Sequence, residues 1–195
     1  MEIFMKVLSG LAFFLTFLSP NVWAQWDLSN DSSRLNFVTV KSLKIGEVHR
    51  FEHLTGSISD TGQVTLNIDL NSVETNIGIR NERIKKQLFE TDNFLQATAS
   101  GFINVNKVAR LEVGDTYTES VQLTLSFHGI AHKVTNDVQV TKLKDDKLSV
   151  TSLMPLVINA SNYGLTEGVE KLRALAGLPS ISDAVPVTFS LIFNP

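Results

Sequence analysis

From residue 25 onward the chain is governed by period-two alternation of apolar and polar residues. Tyr117, Glu119, Val121, Leu123, Leu125 and Phe127 fall on one face, with Thr116, Thr118, Ser120, Gln122, Thr124 and Ser126 on the other. Val64, Leu66 and Ile68 repeat the pattern, as do Val134, Val138 and Val140, and Val185, Val187, Phe189, Leu191 and Phe193. Such alternation, rich in β-branched and aromatic residues, predicts half-buried strands. About eight are expected, at 26–29 with 33–41, 46–58, 62–70, 96–106, 116–128, 130–143, 147–159 and 184–193. Asp60-Thr61-Gly62 and Lys144-Asp145-Asp146-Lys147 punctuate the runs with short turns, which make antiparallel neighbours. The pattern fits a sandwich or a closed barrel, and an eight-stranded barrel is just wide enough to be filled by side chains or to hold one small ligand.

Two segments switch to helical spacing. Residues 77–89 carry Ile77, Ile84 and Leu88 with Arg80, Arg83, Lys85 and Lys86, and 167–176 carry Val169, Leu172 and Leu175 before Gly177 and Pro179. Each is expected to cover an opening between strands. The fold class is thus all-β with two short helices.

The first 24 residues read differently. Val7 to Leu18 is almost wholly apolar, Pro20 and Asn21 break it, and Val22-Trp23-Ala24 places small residues at the two positions a signal peptidase reads. The run is short for a membrane span. The expectation is an exported, periplasmic protein with a signal peptide over 1–24, cleaved after Ala24, and one domain over 25–195. No apolar run of spanning length follows, so the mature chain is expected to have no membrane span. The chain has no cysteine, which excludes disulfides and a lipid-modified N-terminal Cys and leaves stability to the core.

A net charge of −3 without any basic tract points away from nucleic acid. No Gly-x-Ser-x-Gly elbow or glycine-rich phosphate loop is present, and the paired carboxylates Asp145/Asp146 and Asp69/Glu74 fall in turns or strand ends. The reading is therefore of a non-enzyme without cofactor. The four histidines form two pairs, His49/His53 and His128/His132. On a strand, residues four apart lie about 13 Å apart, too far to share one ion. Exposed or rim positions are expected for them, with no metal. Twelve Phe stand against two Tyr and two Trp in the whole chain, and eight Phe against two Tyr and one Trp follow residue 24, so aromatic rings without polar handles are the candidates for the interior. The candidate lumen lining is Phe37, Phe51, Leu88, Phe89, Phe94, Phe102, Leu125, Phe127, Ile158, Tyr163 and Phe189. An alternative stays open at this point: these residues fill a packed core, and the barrel meets an envelope protein through its rim.

Ordered along the chain are segments that resemble one family. They are Trp26-Asp27-Leu28 with Leu35 and Phe37; Phe51, Leu54, Gly56 and Ile58; and Asp69-Leu70-Asn71-Ser72-Val73-Glu74-Thr75. Arg80-Asn81-Glu82-Arg83-Ile84 through Leu88-Phe89 and Phe94, the hairpin Leu123 to Val134, and Asn159-Ala160-Ser161-Asn162-Tyr163-Gly164 complete the set. The mature chain is similar in these to the YceI-like family of exported lipid-binding proteins. Asn81 stands where that family usually has Asp, Ile84 where His is common, and 167–182 is longer than the usual connection. The resemblance implies an eight-stranded antiparallel, lipocalin-like extended β-barrel with an apolar lumen. It also implies a periplasmic location and a carrier role for a long-chain isoprenoid lipid of polyprenyl or quinone type. Arg80, which matches the helix motif, is the expected head-group contact. Association into a homodimer is left open, because a closed barrel has no free edge that forces it.

Overall fold

A computed structural model describes residues 26–195. The expected signal peptide and its cleavage site lie outside the described residues.

Among the described residues, twelve strand segments form one sheet: β1 (Trp26–Leu28), β2 (Arg34–Lys41), β3 (Ile45–Phe51), β4 (Leu54–Ile58), β5 (Gln63–Asp69), β6 (Val73–Glu74), β7 (Gln96–Phe102), β8 (Thr116–Phe127), β9 (Ile130–Lys142), β10 (Leu148–Ser152), β11 (Leu156–Asn159) and β12 (Ala184–Asn194). All pairings are antiparallel. The segments combine into eight staves. β1 and β2 pair with successive stretches of β12 along one side, and β10 and β11 do so along its other side. β3 with β4, and β5 with β6, are likewise single staves broken by short irregular links. β1 bonds both β4 and β12, so the ring closes into the expected eight-stranded barrel. Closure leaves the ring of staves without a terminal strand, although β6 and β11 each pair on one side only.

The breaks are local and have causes. Asp69 caps the link after β5 by accepting from Asn71 N at 2.9 Å. Ser72 Oγ accepts from the His53 and Glu52 amides at 3.0 and 3.2 Å, satisfying donors that the interrupted ladder frees.

Helix α1 (Gly78–Ile84) runs on into a π-helical turn, Lys85–Phe89, ended by Glu90 in the left-handed conformation. α2 (Val105–Val108) follows β7 where the strand pattern suggests more strand, and α3 (Thr166–Leu175) matches the second expected helix within a residue at each end. Among the described residues the fold therefore has three short helices rather than two. α2 escapes the helical pattern because one turn shows no periodicity.

The barrel has one solid end. Ile58, Val108, Val140, Leu148 and Phe193 are almost wholly buried there, and Trp26 seals it by donating from Nε1 to the Asp146 carbonyl at 2.8 Å. The other end carries α1, the π turn, α3 and the β2–β3 hairpin.

Candidate functional site

The interior of that second half is hollow. A cavity of about 490 Å³ runs down the barrel axis, within the usual range of ligand sites. Its space comes from β7, whose inward positions are Ala97, Ala99 and Gly101. At Gly101 a Cβ would stand 2.7 Å from Leu123 Cδ2 and 2.8 Å from the Gln122 carbonyl oxygen, so β8 closes over that position and the open space borders Ala97 and Ala99.

Of the residues expected to line it, Phe37, Phe51, Leu88, Phe89, Leu125, Phe127, Ile158 and Phe189 do so, and Arg80 stands at the rim. A chain of rings crosses the cavity: Phe37 to Phe51 at 5.3 Å, Phe51 to Phe89 at 5.9 Å, Phe89 to Phe127 at 5.6 Å, and Phe127 to Tyr163 at 5.6 Å. These are spacings at which tilted aromatic pairs attract.

Three expectations are corrected. Phe102 is 65% exposed: it shares the outward parity of Thr98 and Ser100 on β7. Phe94 does not line the cavity: half-buried against the core, its ring lies tilted against His128 at 4.2 Å, next to Gly129. Tyr163 is buried, but behind Phe127, where it meets His132 edge-on at 5.2 Å. Its hydroxyl has no protein partner among the described residues, and burial raises its pKa.

The lumen wall is apolar except at the mouth. There the inward positions of β2 and β3 turn polar: Thr39, Lys41, Glu47 and His49. Glu47 accepts from Lys41 Nζ at 2.9 Å and from Arg80 Nη1 at 2.7 Å, while Arg80 Nη2 donates to the Thr75 carbonyl at 2.5 Å. The Lys41 hydrogen bond, helped by the Arg80 charge and opposed by burial, holds Glu47 below its ordinary carboxylate pKa. His49 contradicts the expectation of exposed histidines. It is 3% exposed, faces the lumen beside Phe37 at 5.3 Å, and shares a hydrogen bond of 2.9 Å between Nε2 and Thr39 Oγ1. Burial first, then the Arg80 charge, lowers its pKa, so the ring is held neutral. Its Nδ1, like Arg80 Nε, is buried without a protein hydrogen bond among the described residues. An amphiphile's polar end placed here would find both.

Arg80 is held in place from its own helix. Asn81 Oδ1 accepts from Thr75 N at 2.9 Å and from Thr75 Oγ1 at 2.5 Å, and its Nδ2 donates to Glu74 at 3.1 Å. The amide is what permits the last bond, since a carboxylate there would face Glu74 with no proton to give. α3 is pressed onto the π turn through Gly168, where a Cβ would stand 2.7 Å from the Gln87 carbonyl. That contact brings Leu172, Ala176 and Leu178 to the mouth. Among the described residues, no three His, Asp or Glu side chains converge on a point that could hold a metal ion.

The comparisons agree with this geometry. The YceI-like domain model matches residues 26–193. A polyisoprenoid-binding domain from Saccharophagus degradans, implicated in plant cell wall breakdown, is 40% identical with a TM-score of 0.85, over 87% of this chain and 97% of that one. Burkholderia cenocepacia BcnA is 18% identical with a TM-score of 0.62, over 85% of this chain and 98% of its own. A Campylobacter jejuni YceI protein is 13% identical with a TM-score of 0.52, over 74% and 82%. The last two show the fold alone, and no curated protein matches the chain. With a match over nearly all of its described length, and the hollow eight-stranded barrel to go with it, the chain belongs to the YceI-like domain family.

Proposed function

We propose that the protein is a non-enzymatic periplasmic carrier that holds a long-chain isoprenoid lipid, of polyprenyl or quinone type, in its barrel lumen. One observation carries the reading: the cavity wall is apolar along its depth and polar only at the mouth. An amphiphile with one long apolar chain and one polar end matches that profile. Each CH₂ moved from water into the lumen gains about 0.8 kcal/mol, so a chain of isoprene units supplies ample driving force before ordering costs. The polyisoprenoid named for the Saccharophagus degradans domain supports the same ligand class. The polar end would sit among Arg80, Glu47, Lys41 and His49, with Arg80 as the head-group contact. A packed barrel acting only through its rim has no account of the hollow half.

Mass spectrometry of an organic extract from protein purified from its own periplasm, without detergent, tests the reading. A single isoprenoid species near one per chain is the expected result. A lipid-free protein that also takes up no prenyl lipid on reconstitution would overturn it.

A further inference from the structure

The mouth is ringed by apolar side chains that face outward. Leu43 is 87% exposed at the tip of the β2–β3 hairpin, and Ile77, Ile79 and Leu175 are exposed around the same opening. The hairpin is fastened to the neighbouring segment that leads into β12, Ser42 N donating to the Ser180 carbonyl at 2.9 Å and Ser182 N to the Val40 carbonyl at 2.8 Å. Its tip is chemically odd. Ser42 and Leu43 both have positive φ, +52° and +63°, a conformation for which Gly, Asn or Asp is the low-energy choice. A Leu there is strained and unburied at once, so the fold gains nothing from it.

Charge is distributed unevenly in the same sense. The three mouth segments, 41–47, 78–89 and 166–175, hold eight Lys or Arg against four Glu, a balance of +4 in a chain of −3 overall. The rest of the molecule is therefore at −7. Lys44 beside Leu43, and Lys86 on the π turn, are exposed and have no ion-pair partner among the described residues. Apolar side chains at a tip, flanked by unpaired cations on an otherwise acidic protein, match the interface of an anionic bilayer. They are also continuous with the lumen wall through Ile77 and Ile79, which line the cavity and are exposed.

Resting on the carrier reading, we propose that the mouth face docks on an anionic lipid surface, with Leu43 entering the head-group layer and Lys44 and Lys86 meeting lipid phosphates. The bound lipid then passes between bilayer and lumen without crossing water.

The test pairs vesicle binding with lipid loading. The purified protein is floated with vesicles of phosphatidylglycerol in phosphatidylcholine, and with phosphatidylcholine alone. Loading with a fluorescent prenyl lipid is measured separately from detergent micelles and from vesicles. Leu43→Asp combined with Lys44→Glu changes only exposed positions outside the cavity. The expected result is binding to the anionic vesicles that weakens with salt, at least roughly tenfold loss of binding and of vesicle loading in the variant, and unchanged loading from micelles. Wild-type protein that loads from micelles but ignores anionic vesicles, or a variant that loads from vesicles as well as wild type, would overturn the docking and leave the carrier reading intact. Protein that loads from neither source defeats the carrier reading, and the docking proposal falls with it.

Discussion

The two ends of this barrel are built from the same alternating strands and differ in what points inward. At the solid end Ile58, Val140 and Leu148 join Val108 of α2 in one buried cluster that does not line the cavity, while Phe193 borders the cavity from that side. At the other end β7 contributes only Ala97, Ala99 and Gly101, the helices lie over the opening rather than in it, and about 490 Å³ stays empty. Stability is concentrated in the first half. The second half gives up packing for a lumen, and its polar mouth carries buried atoms without protein partners among the described residues. Each such atom costs about 1–3 kcal/mol unless a ligand or water satisfies it.

The sharpest way to break the contrast is to truncate one large apolar residue in each half. Leu148→Ala, at a fully buried position that does not line the cavity, should destabilise the protein by about 4 kcal/mol in denaturant unfolding. Phe189→Ala, on the lumen wall, should cost about half as much, since one face of that ring borders space already present. Equal losses would mean that the lumen is not open in solution. Filling the hollow half is the converse change. Ala99→Phe should cut lipid occupancy in the extract at least tenfold while changing stability by less than about 1.5 kcal/mol. Unchanged occupancy would place the lipid elsewhere.

A smaller effect is expected where the lid meets the barrel. Gly168→Ala puts a methyl against the Gln87 carbonyl and should push α3 away from the π turn, at about 1–2 kcal/mol. Lipid release measured by fluorescence should quicken in the same variant. The smallest effect concerns His49. Its pKa is lowered in the fold from an ordinary 6.5, so the unfolded chain binds the proton first. Its contribution is complete above the unfolded pKa and is lost as pH falls through that value towards the lowered one. Between about pH 7.5 and about pH 5.5 the wild type should lose more stability than His49→Gln. Glu47, whose pKa is also lowered, acts in the same direction only at more acid pH, from its ordinary 4.5 downward. Parallel curves would show that His49 is not held neutral.

The strand framework was legible because alternation reports burial on one face, whatever the wall encloses. The lining was legible where a large apolar residue sat in phase with others, as with Leu125 and Phe127 on β8. It failed at Phe102, where size was weighed over phase. Ala97, Ala99 and Gly101 mark the inward face of β7, and that parity sends Phe102 outward. The same rule in reverse hid His49 and Glu47, since polar residues at inward positions look like surface until the register is known. Phe94 and Tyr163 lie outside regular strands, where no period assigns a side. Whether the barrel is filled or hollow depends on how facing side chains meet across the axis, which no single strand's pattern records.

A photoactivatable prenyl lipid, with its reactive group at the end of the chain far from the head group, would show where the ligand's tail rests. After loading, irradiation and digestion, the account predicts label on peptides carrying Leu123, Leu191 or Ala99, deep in the lumen. Label confined to outward residues such as Phe102, or to the exposed rim, would contradict it.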